Sequence, residues 1–212
     1  MENEKLQAYI ENIIPGRSKL LEQMEQFAKE NGVPIMELAG IEAMLQLLRI
    51  HSPKNILEIG TAIGYSALRM AYACPSSKII TIERDADRYL LAEKYIQEAE
   101  KEAQIHIIKG DALEAEADIK KYAPFDVIFI DAAKGQYQRF FEIYSQYLCS
   151  NGMIITDNVL FKGLVYESNI ENKRIRNLVK KINDFNQWLM NHPDYFTVII
   201  PVGDGIAISK KR

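Results

Sequence analysis

The sequence predicts an α/β fold built on a seven-stranded, mostly parallel sheet with helices on both faces. From Asn55 onward, short apolar runs alternate with longer amphipathic stretches, which is the pattern of parallel strands joined by helical crossovers. Such crossovers are right-handed, so helices cover both faces of the sheet. The last two apolar runs are separated only by residues 201–204. A connection that short makes a hairpin, so one strand should run antiparallel to the others.

The individual elements follow from the same patterns in chain order. Before the first strand, apolar residues recur every three or four positions, which predicts three helices, and Pro15-Gly16 and Asn31-Gly32 separate them. The expected helices lie near 3–13, 18–31, 35–50, 65–73, 86–103, 112–121, 136–148 and 170–191. The expected strands lie near 55–59, 78–83, 105–109, 125–130, 152–156, 195–200 and 205–209. We expect one domain over 1–212, with a helical extension at 1–50 that leans over a core at 51–212.

Composition excludes several classes of protein. The net charge of −3 argues against a general nucleic-acid coat protein, although it leaves room for a local basic face. No apolar run approaches the roughly 18 residues that a membrane span needs, and the N-terminus lacks a signal-peptide pattern. A cytoplasmic location is therefore expected. Cys74 and Cys149 are isolated, which indicates neither a metal cluster nor a disulfide framework.

Polar side chains end two of the predicted strands. The fourth strand stops at Asp131, with Lys134 close behind it, and the fifth stops at Asp157-Asn158. If these strands are parallel neighbours, three oxygen-bearing side chains meet at one sheet edge. Two carboxylates and an amide oxygen suit Mg²⁺, with Mn²⁺ or Ca²⁺ as substitutes. Individually, Asp157-Asn158 could form a turn, Asp131 could cap a helix and Lys134 could be a solvated lysine. Their occurrence together favours a metal site beside a proton acceptor.

A second group of residues predicts a nucleoside site at the same edge. The first strand runs into Glu58-x-Gly60-x-x-x-Gly64, whose glycines allow a sharp turn and close approach of the backbone to a ligand. This spacing differs from the dinucleotide fingerprint, and a plain strand-to-helix turn would explain it alone. The second strand ends at Glu83, which can accept ribose hydroxyls, and the third leads to Asp111 at the adenine edge. No P-loop is present, which favours an adenosine without a triphosphate.

Together these residues resemble the class I S-adenosylmethionine-dependent methyltransferases. The segments 129–134 and 156–158 narrow the resemblance to the metal-dependent, catechol-type O-methyltransferase family. The resemblance extends from about Ile35 to Ser209 and implies a Rossmann-like fold. It assigns Asp131, Asp157 and Asn158 to the metal and makes Lys134 the expected base.

The resemblance also implies the cofactor, S-adenosylmethionine, and its contacts. It places Glu83 at the ribose hydroxyls, and Asp131 borders the cofactor as well as the metal. The remaining implied residues border the adenine (Asp111, Ala112), surround the methionine portion (Glu58, Gly60, Tyr65, Ser66) or cap the cofactor from the N-terminal helices (Met36).

Three protein ligands leave room in an octahedral metal shell for two substrate oxygens and a water. The expected acceptor therefore presents two adjacent oxygens. The metal would orient these oxygens and favour loss of the hydroxyl proton, which Lys134 would accept in its neutral form. A catechol has such a pair of oxygens, and so does 5-hydroxyuracil through its 5-hydroxyl and 4-carbonyl groups. The same site chemistry therefore suits a small phenol or a modified nucleobase.

Within the family the chain is most similar to the bacterial tRNA 5-hydroxyuridine methyltransferases. This implies conversion of 5-hydroxyuridine to 5-methoxyuridine at the wobble position, with the tRNA anticodon loop as partner. Phe161 or Tyr166 can stack on a base. The basic residues that can contact phosphates are Lys162, Lys173, Arg174 and Arg176.

Three alternatives stay open from the sequence. The basic cluster 173–181 is equally typical of a solvated helix face. A small catechol or phenol is the alternative acceptor, and a non-catalytic cofactor-binding or RNA-binding module is a second alternative. Family analogy also suggests a homodimer.

Overall fold

The computed structural model describes residues 2–212, with side chains from Lys5 onward. Its centre is one seven-stranded sheet in the order β3-β2-β1-β4-β5-β7-β6. The strands are β1 Asn55–Ile59, β2 Lys78–Glu83, β3 Ile105–Lys109, β4 Phe125–Ile130, β5 Leu148–Thr156, β6 Tyr195–Ile200 and β7 Ile206–Lys211. β7 pairs antiparallel with both β5 and β6, and the pairs among β1 to β5 are parallel. The predicted fold class and its single antiparallel strand are confirmed.

Eight α-helices surround the sheet in the described part of the chain. They are α1 Glu2–Ile13, α2 Lys19–Asn31, α3 Leu38–His51, α4 Tyr65–Ala73, α5 Ala86–Glu98, α6 Glu116–Ile119, α7 Tyr137–Tyr144 and α8 Lys173–Met190. Short 3-10 turns follow α6 and α7 at Lys120–Tyr122 and Ser145–Tyr147, and others lie at Lys134–Gln136 and Phe161–Tyr166. None of the helices described is long and apolar enough to cross a membrane.

The predicted helix bounds were wrong at several ends, for local reasons. The helix expected from 35 begins at Leu38, because Glu37 is extended at its N-terminus. The helix expected to 103 ends at Glu98, since Glu100 takes a left-handed φ of 54° and the chain turns into β3. The helix expected from 112 begins only at Glu116, because Asp111 organises a turn in which its carbonyl oxygen accepts from the amides of Glu114 and Ala115.

Two other bounds also shifted. The stretch 136–148 is shorter than expected because its last residue, Leu148, already belongs to β5, which is longer than predicted. The stretch expected from 170 becomes helical at Lys173, where the Asn172 side chain accepts from the amides of Arg174 and Ile175 as an N-cap.

The sheet separates two apolar cores. On one face, buried residues of α2, α3 and α4 such as Met24, Met44 and Leu68 pack with Ile56 and Val127. On the other face, residues of α7 and α8 pack against β4 and β5 in an aromatic-rich cluster. Because α2 and α3 share a core with the central strands, the N-terminal helices are packed on the sheet next to its ligand edge.

Candidate functional site

A cavity of about 680 Å³ opens at the carboxyl ends of the parallel strands. In open α/β sheets ligands bind where the strand order reverses, which here is between β1 and β4. All the predicted site residues except Glu58 line this cavity: Met36, Gly60, Tyr65, Ser66, Glu83, Asp111, Ala112, Asp131, Lys134, Asp157 and Asn158. The fold thus brings the predicted nucleoside and metal residues to one place.

The glycine loop is shaped by its contact with the end of β4. Gly60 has φ of 107°, and a Cβ there would collide with the carbonyl group of Asp131. The Gly60 amide instead donates to the Ile82 carbonyl at 3.2 Å, and the Asp131 amide donates to the Ile59 carbonyl at 3.0 Å. Only glycine fits this close backbone crossing, so the loop can approach a ligand as the sequence predicted.

Glu83 and Asp111 occupy the ends of β2 and β3 and are held by backbone amides. The Glu83 carboxylate accepts from the amides of Ala62 at 2.8 Å and Asp85 at 2.9 Å, and its side chain is buried. The Asp111 carboxylate accepts from the Leu113 amide at 2.9 Å. Because each carboxylate oxygen has further acceptor capacity, both groups remain able to bind hydroxyl or amino groups of a ligand.

Glu58 lies behind the cavity wall. It is fully buried and accepts hydrogen bonds from the hydroxyls of Ser66 and of Thr81, the latter at 2.6 Å. Burial raises the pKa of Glu58 to about 7, although the two hydroxyls oppose that rise. Since Ser66 does line the cavity, Glu58 contacts the site through Ser66.

Met36 and Tyr65 form the wall on the side of the N-terminal helices. Met36 is buried and lies against Gly40 of α3. The Tyr65 ring is 3% exposed, and its hydroxyl donates to Glu25 of α2 at 2.6 Å. The connection between α2 and α3, residues 34–37, therefore forms this side of the cavity, and α2 reaches it only through Tyr65.

The four predicted metal-site and base residues lie together at the ends of β4 and β5. Ile130 pairs with Thr156, and the Asp157 amide donates to the Ile130 carbonyl at 3.1 Å, so Asp131 and Asp157 follow neighbouring strand ends. Asn158 takes a left-handed φ of 57°. Its Nδ2 donates to Asp157 Oδ2 at 3.1 Å, and its Oδ1 accepts from Lys134 Nζ.

The electrostatics of these strand ends favour a bound cation. Burial raises the pKa of Asp157, and the neighbouring Asp131 carboxylate raises it further. Burial likewise raises the pKa of Asp131, against the opposing effect of Lys134. Two carboxylates in a buried site repel each other unless a proton or a cation compensates them.

The donor set fits a hard divalent cation only if the amide takes part. Among the described residues, no group of three His, Cys, Asp or Glu side chains is arranged to hold a metal, so Asn158 must complete a set of two carboxylates and one amide oxygen.

Tyr137 adds a second observation. Its hydroxyl is buried without a hydrogen-bond partner, and the carboxylates of Asp131 and Asp157 contribute, after burial, to raising its pKa. An unpaired donor near two carboxylates is consistent with further polar atoms at this site.

The segment after Asn158, in which the sequence suggested Phe161 or Tyr166 for base stacking and Lys162 for phosphate contacts, forms the remaining wall. Phe161 and Lys162 line the cavity, whereas Tyr166 is 80% exposed and does not. Asp204 lines it too, and its carboxylate accepts from the Lys162 amide. The short connection 201–204 was expected to be a turn, but nothing in the sequence indicated that this turn would hold the segment 159–162.

Four basic side chains are among the residues of the cavity wall. Arg84, Arg88, Lys134 and Lys162 line it. In α8, Lys173, Arg174, Arg176, Lys180 and Lys181 are exposed. Lys181 lies close to Gly135, the residue after Lys134, so the middle of α8 packs near the turn that follows β4.

Comparison with known proteins gives a consistent result. The model of the O-methyltransferase family matches residues 11–212. A catechol O-methyltransferase from Niastella koreensis is 32% identical over 171 residues, which cover 78% of this chain and 77% of that protein. A caffeoyl-CoA O-methyltransferase from Populus trichocarpa is 28% identical, with coverage of 100% and 90%. The structure of a Staphylococcus aureus protein described as a caffeoyl-CoA O-methyltransferase matches with a TM-score of 0.91 at 38% identity, over the whole of both chains.

Proposed function

This chain belongs to the O-methyltransferase family as an S-adenosylmethionine-dependent O-methyltransferase, and from that premise we propose that it is metal-dependent and methylates tRNA. The proposed reaction converts 5-hydroxyuridine at the wobble position to 5-methoxyuridine. Family membership argues against the non-catalytic module. A tRNA acceptor places the enzyme in the cytoplasm, and the proposal treats the extension and the core as one catalytic domain.

The observation that carries the metal-dependent mechanism is the convergence of Asp131, Asp157, Asn158 and Lys134 beside the cavity. In the proposal the first three would hold Mg²⁺, which would supply Lewis acidity to two neighbouring acceptor oxygens and favour loss of the proton from the acceptor hydroxyl. S-adenosylmethionine supplies the methyl group from a site bounded by Met36, Gly60, Tyr65, Ser66, Glu83, Asp111 and Ala112.

Lys134 is the proton acceptor in this mechanism. As a neutral amine it accepts the proton that leaves the acceptor hydroxyl. Its reach to Asn158 Oδ1 places the amine next to the proposed metal ligands. Phe161, half-buried in the cavity wall, offers an aromatic face to the acceptor ring. Fixing the acceptor between these groups accounts for a further part of the rate enhancement.

The basic surroundings of the cavity support a polyanionic acceptor. Lys162 lines the cavity, and the cations of α8 are exposed, with Lys181 close to Gly135 in the turn that carries Lys134. An RNA loop with one base splayed into the cavity would bring its phosphates over such a surface. The overall negative charge of the chain makes this concentration of positive charge local to the site.

A small catechol is the second candidate acceptor. It is favoured by the Niastella koreensis relative, which is named a catechol O-methyltransferase. A catechol would present the same pair of oxygens to the same residues, and it would need none of the cations of α8. The two candidates therefore differ in their dependence on the basic surface.

We also propose a homodimer formed through α1. Leu6, Tyr9, Ile10 and Ile13 recur at helical spacing and are exposed, which makes an apolar stripe on one face of the helix. A second copy that covers this stripe would remove it from water. Ile13→Lys should then shift the mass measured by light scattering from dimer to monomer; a monomeric parent protein would contradict the proposal.

One assay tests the function directly. The protein is incubated with S-adenosylmethionine and Mg²⁺ and with either tRNA that carries 5-hydroxyuridine or catechol. Mass spectrometry should detect 5-methoxyuridine, and EDTA should abolish its formation until Mg²⁺ is restored. Turnover of catechol alone would establish the second candidate, and turnover that survives EDTA and Asp131→Ala would overturn the metal-dependent mechanism.

A further inference from the structure

A chain of partly buried hydrogen bonds connects α2 to the wall of the cavity. Arg17, in the segment between α1 and α2, donates through Nε and Nη2 to the two carboxylate oxygens of Glu25, at 2.8 and 2.6 Å. This bidentate geometry fixes the carboxylate in one orientation. The Tyr65 hydroxyl then donates to Glu25 Oε1 at 2.6 Å. Glu25 therefore joins α2 to the first residue of α4, directly after the glycine loop.

The same hydroxyl is held from its other side. Arg69, one turn along α4, donates through Nη1 to the Tyr65 oxygen at 2.7 Å and through Nη2 to Glu42 of α3. Its guanidinium group lies 5.5 Å from the centre of the Tyr65 ring. Tyr65 and Arg69 are both buried. The ring of Tyr65 is thus clamped by groups from α2, α3 and α4.

The pKa of Glu25 agrees with its role as the hydrogen-bond acceptor in this network. Burial would raise the pKa of Glu25, but hydrogen bonds from Arg17 and Tyr65 outweigh it and lower the pKa. Glu25 is therefore a carboxylate acceptor at neutral pH. If Glu25 were removed, the Tyr65 hydroxyl and the Arg17 guanidinium would each lose a partner in a partly buried place, which is unfavourable.

Glu25 has no contact with the cavity, and Tyr65 does. We propose that Glu25, oriented by Arg17, is a positioning residue for cofactor binding, and that it acts by holding the Tyr65 ring in the cavity wall. The inference rests on the proposed cofactor site. In this proposal α2 contributes to cofactor binding indirectly, because Glu25 does not line the cavity but holds Tyr65, which does.

Calorimetric titration with S-adenosylhomocysteine tests this role with the full chain. Tyr65→Phe keeps the ring and removes the hydroxyl, and Glu25→Ala removes its acceptor. Each should raise the dissociation constant about tenfold, the loss that one buried charge-assisted hydrogen bond represents. The double variant should bind no more weakly than Tyr65→Phe alone, because both changes break the same link. Additive losses would mean that Glu25 acts independently of Tyr65 and would overturn the proposal.

Two further variants separate positioning from general stability. Glu25→Gln keeps an oxygen that can accept from Tyr65 and loses the ion pair with Arg17, so its affinity should stay within about threefold of the parent. Glu30→Ala on the same helix removes an exposed carboxylate that pairs only with Gln26, and it should leave affinity unchanged. If Glu25→Ala does not fold, unchanged affinity of Tyr65→Phe still overturns the proposal. Absence of binding by the parent protein would instead refute the proposed cofactor site.

Discussion

Lys134 donates from Nζ to Oδ1 of Asn158, and this contact joins the turn after β4 to the turn after β5. The two residues follow the ends of adjacent strands, as Asp131 and Asp157 do. The proposed base and a proposed metal ligand are thus in direct contact, so that removal of the Lys134 amine would change both the charge and the geometry of the site.

Lys134→Ala is expected to lower kcat by about 10²- to 10⁴-fold, because the proton acceptor is lost. Affinity for S-adenosylhomocysteine, measured by calorimetry, should stay unchanged. Lys134→Arg is the matched control: it keeps the positive charge, but arginine cannot be deprotonated. Activity retained by the arginine variant would show that the lysine acts only through its charge.

Gly60→Ala is expected to destabilise the fold by at least about 2 kcal/mol. A Cβ at this position collides with the Asp131 carbonyl group, and φ of 107° is unfavourable for alanine. Urea unfolding measures the change. Gly16→Ala is the control, because its Cβ would meet nothing closer than 3.9 Å. Equal stability of the two variants would contradict the backbone crossing described here.

Glu58→Gln is expected to change how stability depends on pH. In the folded protein the pKa of Glu58 is raised to about 7 from 4.5 by burial, so the fold favours the protonated carboxyl. Its contribution is fully present below pH 4.5 and is lost as pH rises through 7. Relative to the parent, the free energy of unfolding of the glutamine variant should therefore increase with pH, by up to about 3 kcal/mol.

Chemical denaturation from pH 4.5 to 8, without metal or cofactor, measures this difference. Acidic groups distant from position 58 are in the same surroundings in both proteins, so the difference reports Glu58 together with its coupling to the neighbouring carboxylates. A difference that stays constant across this range would exclude the raised pKa.

Charge reversal on α8 is expected to weaken RNA binding and spare cofactor binding. Arg174→Glu should reduce affinity for the tRNA substrate about tenfold and lower the slope of its salt dependence by about one, as the loss of a phosphate contact does. Filter binding at several salt concentrations gives both quantities. Lys29→Glu, an exposed change on α2, serves as control. An unchanged salt slope for Arg174→Glu would favour the small catechol.

The sequence predicted the sheet and the residues at its ligand edge because both depend on local patterns. Apolar runs define the strands, and parallel strands bring their carboxyl ends to one edge, so Asp131 and Asp157 had to lie close together. Whether Glu58 borders the cavity was harder to predict, since alternate residues of a strand face opposite sides of the sheet. Contacts between distant segments, such as Glu25 with Tyr65 or Asp204 with Lys162, have no local signal and require the folded chain.

The turn between β6 and β7 ties down the segment that follows Asn158. The Gly205 and Asp204 carbonyls accept from the amides of Val159 and Leu160 at 3.1 and 3.0 Å, and a side chain at Gly205 would collide with Leu160. The first four residues after the proposed metal ligands are therefore fixed, while 163–171 have no such tether to this turn. Insertions, deletions or charge changes within 163–171 can therefore suit a different acceptor without displacing the proposed metal ligands.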